Sequence, residues 1–473
     1  MHAAFRLIIT SSLIAVAISG CLPGGDQEAS GTGAGQAAPA NDPPTSDPAS
    51  ESVELGLNDV SILLPPPTTA DDPVLAITDL AFKGSSFWPD DAFQQFKATA
   101  SSDAGAVAEA DDPIAPRGSR IDIRAFDDKA VWHIASIRVD PGAPGLAPEI
   151  AAAFGQTPQI RLVLQPVTGN NEVHDVAAHM IYSFVSGFEP PEPGCSLPRF
   201  KPDEERFRQI VDDIVAMKAK LAAGDFGGDA IDTDGPLSIH PAAAATVSPA
   251  TRSAFLDALK DFLNRHLDPA KLRAMAIMGL PGRDIPEPWL FLAMAPNRET
   301  GRFSPVPSPA LAQDSLRFTQ MLDARRGAAV APAVRVNNLN PITCRFEVPA
   351  NPLGLEPPEN PDGVSTAELF PSGDPERMRE IIDIIADPTQ AHFFNTDCVS
   401  CHTETRREMD LLGTDRIDAA VDPSVLPTEL WNVRNFGWFP SFLNGGVFAT
   451  ATRRTATETE EVVDAVNALL AAR

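Results

Sequence analysis

Basic residues are in short supply in this sequence: 37 Lys and Arg stand against 64 Asp and Glu, a formal net charge of −27. So acidic a surface is unsuited to nucleic acid; it favours a basic partner and repels like-charged ones. Cysteine is scarce too, five in 473 residues, and no two closely spaced pairs occur that would build a four-cysteine zinc site. The apolar run at residues 7–18 is too short to span a bilayer. No nucleophile–base constellation, phosphate-binding loop or carboxylate cluster is recognisable across residues 199–348, so no enzymatic chemistry is indicated there. Proline is plentiful, at 46 residues, which makes many connections extended loops rather than long helices.

What the scarce cysteines do form is Cys398-Val399-Ser400-Cys401-His402. Two thiols three positions apart on one helical turn can each add to a haem vinyl group, giving two thioether bonds, with the adjoining histidine as proximal axial ligand to the iron. With five Cys and eight His in the chain, chance would produce this pattern about once in a thousand sequences. A thioredoxin-like dithiol would need a βαβ context that the flanking residues do not supply.

The N-terminus carries one charged residue, Arg6, ahead of Leu7 to Ile18, in the manner of a secretory signal. It ends in Ile18-Ser19-Gly20-Cys21, which resembles the lipobox of bacterial lipoproteins. That resemblance implies cleavage after Gly20, lipidation of Cys21, and anchoring in the cell envelope on the periplasmic or cell-surface side. Leu22 rather than Asp after the cysteine implies the outer membrane. Residues 21–52, mostly Gly, Ala, Pro, Ser and Asp, read as a flexible tether. The membrane is thus expected to be met through the lipid alone. Export agrees with the haem motif, because c-type haem is attached outside the cytoplasm. Cys195 and Cys344 remain, and an oxidising compartment makes a disulfide between them the expectation. Closing so long a loop would contribute about 4–5 kcal/mol in the chain-entropy model.

About 450 mature residues exceed one ordinary core, so the expected fold class is multidomain. Residues 53–190 read as a β-rich domain of unassigned role, with strands at 131–139 and 160–167. His174 and His179, five residues apart around Asp175, read as surface or helix-face histidines, and His133 as structural. Residues 195–348, bracketed by the two cysteines, read as a mixed, helix-containing middle region. Helices are expected from Asp203 and over Ser253–Leu267, the latter with Phe255, Leu259, Phe262 and Leu263 on one face. The apolar run 289–294 suits either helix or strand.

Residues 374–473 are expected to be mostly α. A helix over 375–386, the CxxCH turn, an irregular stretch and an amphipathic helix over 457–471 follow one another. This order resembles the class I c-type cytochromes, and the resemblance implies one covalent haem c packed against crossing first and last helices. The segment Trp431 to Phe439 also resembles an element following CxxCH in some bacterial lipoprotein cytochromes, implying a haem-cavity wall with Arg434 or Arg406 facing a propionate. The chain departs from the family in one respect. The usual distal methionine before the last helix is missing, and Met409 is the single methionine after His402. Met409 is seven residues on, and seven residues could span about 23–25 Å if extended, so Met409 stands beside His392, a more distant residue such as Met294, or no protein ligand at all. The expectation is therefore a membrane-anchored monohaem electron carrier with a redox partner protein. A haem-based redox or gas sensor, a partner-binding lipoprotein, and a monohaem oxidoreductase with its chemistry upstream stand as alternatives.

Overall fold

The computed structural model describes residues 53–68, 72, 74–101, 126–142, 157–189, 199–279, 287–297, 300–306, 318–323, 328–329, 375–388, 398–413, 420–429, 432–441 and 445–472. The expectations placed on the signal sequence, Cys21, the tether, Cys195, Cys344 and His392 lie outside these residues.

A ten-stranded antiparallel sheet organises the described chain. Its strands are β1 (Ser61–Leu63), β2 (Trp132–Asp140), β3 (Gln159–Thr168), β4 (Glu172–Val173), β5 (Val176–Ser183), β6 (Leu272–Gly279), β7 (Glu287–Pro296), β8 (Phe303–Val306), β9 (Phe318–Asp323) and β10 (Ala328–Ala329). They run in the order β1-β2-β3-β5-β6-β7-β9-β10, with β4 on β3 and β8 on β7. β5 pairs with β6 from Val176–Gly279 to Tyr182–Leu272. The boundary expected between residues 190 and 195 therefore falls inside one sheet, and the strands of the middle region continue the N-terminal one. Val60 closes a short helix, α1 (Leu57–Val60), and the ambiguous run 289–294 belongs to β7.

Side chains alternate across a sheet with period two, so register assigns each residue to a face. One cross-strand row is Leu162, Met180, Met275 and Met294. These side chains are at most 2% exposed and share a core with Trp88, Trp132 and the helices α2 (Asp90–Ser101), α3 (Glu204–Ala223) and α4 (Pro249–His266). α3 buries Phe207, Ile210, Val211, Ile214 and Leu221, a stripe at helical spacing. Asp203 caps it by accepting from the Arg206 amide at 3.1 Å, and Gly224 ends it at φ +75°, a conformation that costs glycine nothing. α4 opens on the Ser248 cap and Pro249 and buries Phe255, Leu259, Phe262 and Leu263, as its periodicity requires.

The next row over, on the opposite face, is Val163, His179 and Ala276. This face also carries Ser136, Arg138, Arg161 and Gln165, and the C-terminal region covers it. That region consists of α5 (Pro375–Ala386), α6 (Cys398–Leu412), a hairpin of β11 (Phe436–Pro440) and β12 (Val447–Ala451), and α7 (Arg453–Ala471). The Trp438 amide donates to Gln165 Oε1 at 2.6 Å while Gln165 Nε2 donates to the Trp438 carbonyl at 2.8 Å, and Ser136 Oγ donates to the Phe436 carbonyl at 3.0 Å. A Cβ on Gly437 would lie 2.8 Å from Gln165 Oε1, so a larger residue there would have to displace the amide that holds the hairpin. Arg138 reaches up to α7, donating to Glu458 Oε2 and the Thr455 carbonyl, both at 2.9 Å. The last helix begins at Arg453 rather than at 457, and Glu458 on its inward side is 5% exposed and held between Arg138 and Arg454. The C-terminal region thus contains a β hairpin besides its helices, and is built onto the sheet.

Candidate functional site

CxxCH occupies the first turn of α6. The i, i+3 spacing puts the Cys398 and Cys401 positions on one side of the helix, and Cys401 is half-buried. His402 is 6% exposed, and its Nδ1 lies 2.7 Å from the Val433 carbonyl. A carbonyl only accepts, so Nδ1 donates. Burial holds the His402 pKa down to about 4; the Val433 bond opposes this and the Arg434 charge adds to it. The neutral ring therefore carries its lone pair on Nε2, the tautomer required of an imidazole that ligates a metal through Nε2.

The following turns of α6 are polar and nevertheless buried: Thr403, Glu404, Thr405, Arg407 and Glu408 are all at most 4% exposed. The flanking helices supply partners. Arg453 of α7 reaches Asp383 of α5 at 2.8 Å and Glu408 at 3.0 Å, and its amide donates to Thr405 Oγ1 at 2.9 Å. The Arg454 amide donates to Glu404 Oε1 at 3.1 Å. Burial still pushes Glu404 up to about 7 against the bonds from Thr405 and Arg454. These contacts join α5, α6 and α7 into one support for His402.

The segment 432–434 links α6 to the sheet. Asn432 Nδ2 donates to Thr450 Oγ1 at 2.9 Å and Asn432 Oδ1 accepts from the Arg434 amide at 3.1 Å, which fixes the carbonyl of Val433 between them. The Arg434 guanidinium pairs with Asp175 just before β5, both groups being buried. Arg434 Nε and Nη1 and Asp175 Oδ2 are buried with no hydrogen-bond partner among the described residues. An unmatched buried donor costs about 1–3 kcal/mol, so such a group marks a place for a partner. Arg406, the other candidate, donates to the Thr428 carbonyl at 2.9 Å and pairs with Asp410 one turn on. Arg406 leaves only Nε buried and unmatched, whereas Arg434 leaves both Nε and Nη1 so, next to the Val433 carbonyl that holds His402.

The histidines of the sheet divide. His174 Nε2 lies 2.7 Å from Thr168 Oγ1, with its ring 4.7 Å from Phe126, and His133 is bonded to the Val131 carbonyl at 3.0 Å. His179, expected on a surface or helix face, instead lies in the middle of β5. Its pKa is held down to about 3 by burial and then by the Arg434 charge, and by register it lies on the face that the C-terminal region covers. Nothing in the local sequence signals this, because register across three strands decides it. Among the described residues no three His, Cys, Asp or Glu side chains gather as an ion-binding cluster.

Met409 is on α6 with His402, about 10 Å further along the axis. It packs against the cluster of Ala420, Val421 and Val425. One straight helix does not bring both residues to opposite sides of a haem plane, which counts against Met409 as distal ligand. Met294 lies on the other face of the sheet, in the core with Met275.

Comparison with protein-family models, with curated proteins and with solved structures finds no match. Among the described residues no helix is long and apolar enough to cross a membrane. The residues suit a c-type haem by their chemistry. They offer a thiol pair at attachment spacing, a neutral imidazole with its Nδ1 committed, and a buried guanidinium with unmatched donors.

Proposed function

We propose that this chain is a monohaem c-type cytochrome lipoprotein, anchored in the cell envelope through Cys21, that transfers electrons to or from a partner protein. One observation carries the reading: the CxxCH motif opens a helix whose histidine is buried, neutral and tied through Nδ1 to the Val433 carbonyl. Bound haem supplies a one-electron iron couple, tuned by its axial ligands and its surroundings. Cys398 and Cys401 hold the macrocycle by thioethers. His402 presents Nε2, and the Val433 carbonyl keeps that ring from rotating and raises its basicity. Arg434 is placed to neutralise a propionate, since a carboxylate would satisfy donors that are otherwise buried and unmatched. The polar but closed surroundings of α6 limit water, which keeps reorganisation on electron transfer small. The acidic surface steers a basic redox partner.

The test is the absorption spectrum of protein produced in a periplasm equipped for haem attachment. The reading predicts a reversibly reducible species with sharp α and β bands and a low-spin Soret band. A stable high-spin spectrum that shifts on adding CO would replace electron transfer with gas or peroxide chemistry.

A further inference from the structure

Resting on the reading of His402 as the proximal ligand, we propose that His179 of β5 is the second axial ligand, making the site a bis-histidine haem bridged between α6 and the sheet. The two histidines belong to different layers: His402 to the C-terminal helices, His179 to the sheet those helices cover. That is the relation two ligands need if they are to approach one iron from opposite sides, and it is the relation Met409 lacks. His179 lies directly opposite Val163 in register, and Val163 Cγ1 would be 3.8 Å from a Cβ on Gly437. The His179 face is therefore the one on which the C-terminal hairpin rests. Arg434 pairs with Asp175, the residue just before β5, and the neighbouring Val433 carbonyl holds His402, so the segment 433–434 ties the proximal histidine to the strand that carries His179.

The ring itself is suited to ligation. Among the described residues the His179 imidazole has no hydrogen-bond partner. The ring is half-buried. Two of its four neighbours on this face are small, Ala177 along the strand and Ala276 across it; the other two are Ile181 and Val163. An imidazole that makes no hydrogen bond, on a strand entered through an ion pair whose guanidinium has unmatched donors, is costly to maintain unless something binds there. A haem iron with one propionate turned to Arg434 would use both imidazoles and the guanidinium. Two neutral imidazoles favour the ferric state relative to a histidine–methionine pair, because methionine raises the potential.

The experiment is spectroscopy of the full-length, haem-loaded protein at neutral pH, oxidised and reduced, for the wild type and for His179→Met, His179→Ala and Met409→Leu. Wild-type protein should be low-spin without the far-red charge-transfer band of methionine-ligated ferric haem, and Met409→Leu should leave that spectrum unchanged. His179→Met should acquire the methionine band and a higher potential. His179→Ala should become high-spin, returning to low-spin when imidazole is added. A methionine band in the wild type, or a low-spin spectrum surviving in both His179 variants with Met409 intact, overturns the proposal while leaving haem attachment standing. That wild-type test needs no variant to fold. Absence of covalent haem from the wild type would overturn the underlying reading as well.

Discussion

The two faces of the sheet differ in kind. One is an apolar surface of Leu162, Met180, Met275 and Met294, covered by α2, α3 and α4 with Trp88, Trp132 and Phe255 between the layers. The other carries Ser136, Arg138, Arg161, Gln165 and His179 and is covered by a region held on by hydrogen bonds and ion pairs. Dispersion and burial are enough to hold the first face, and tolerate volume-conserving change. Polar contacts fix geometry on the second, where a misplaced group is left unsatisfied in the interior. The apolar face is scaffold, and the polar face holds the proposed site.

Substitutions on the two faces should separate stability from spectroscopy. Phe255→Ala, wholly on the apolar side, should cost about 3–5 kcal/mol in denaturant unfolding while the haem spectrum of the remaining folded protein stays unchanged. Arg138→Leu should cost about 3 kcal/mol by stranding part of the Glu458 charge, the low end because Arg454 still reaches Glu458 at 2.8 Å. Unlike Phe255→Ala, it should also loosen α7 and the helices it supports, read as faster amide exchange across 453–471. Gly437→Ala should cost about 1–3 kcal/mol, because the new methyl group meets Gln165 at 2.8 Å. An equal spectral change in the apolar-face variant would erase the distinction between the faces.

An effect absent at neutral pH, and growing only on acidification, is expected from His240, on the scaffold side. This ring stacks 4.3 Å from Phe255, its Nδ1 accepts from the Ala242 amide at 3.1 Å, and burial lowers its pKa to about 3. A histidine kept neutral in the fold but protonated when unfolded stabilises the protein above its unfolded pKa of about 6.5. That contribution is lost as pH falls from about 6.5 towards 3, at up to about 1.4 kcal/mol per pH unit. His240→Asn, which keeps an acceptor for Ala242, should flatten the dependence of unfolding free energy on pH over this window.

Elements with their own amphipathic signal were legible from sequence: α3, α4, α5 and most of α7 by helical spacing, β2 and β3 by branched and alternating residues. β6 was not, because Leu272-Arg273-Ala274-Met275-Ala276-Ile277-Met278 is a central strand buried on both faces and shows neither periodicity clearly. The joining of residues 176–183 to 272–279 is a long-range pairing with no local trace, which is why two domains were expected where one sheet exists. In the site, Cys398, Cys401 and His402 announce themselves by spacing, and Arg434 was a candidate by its place after them. His179 has no such signal, because five-residue spacing from His174 points to nothing. Its place under the C-terminal region arises only from register and from the hairpin laid on the sheet by Gly437 and Gln165.

The most direct test of the central claim is the mass of the unfolded protein after production with haem-attachment machinery, for the wild type and for Cys398→Ser with Cys401→Ser. The wild type should be heavier than its polypeptide by one haem, retained through denaturation, and the double variant should carry none covalently. A wild type at the mass of its polypeptide, or a double variant that still holds covalent haem, would contradict the account.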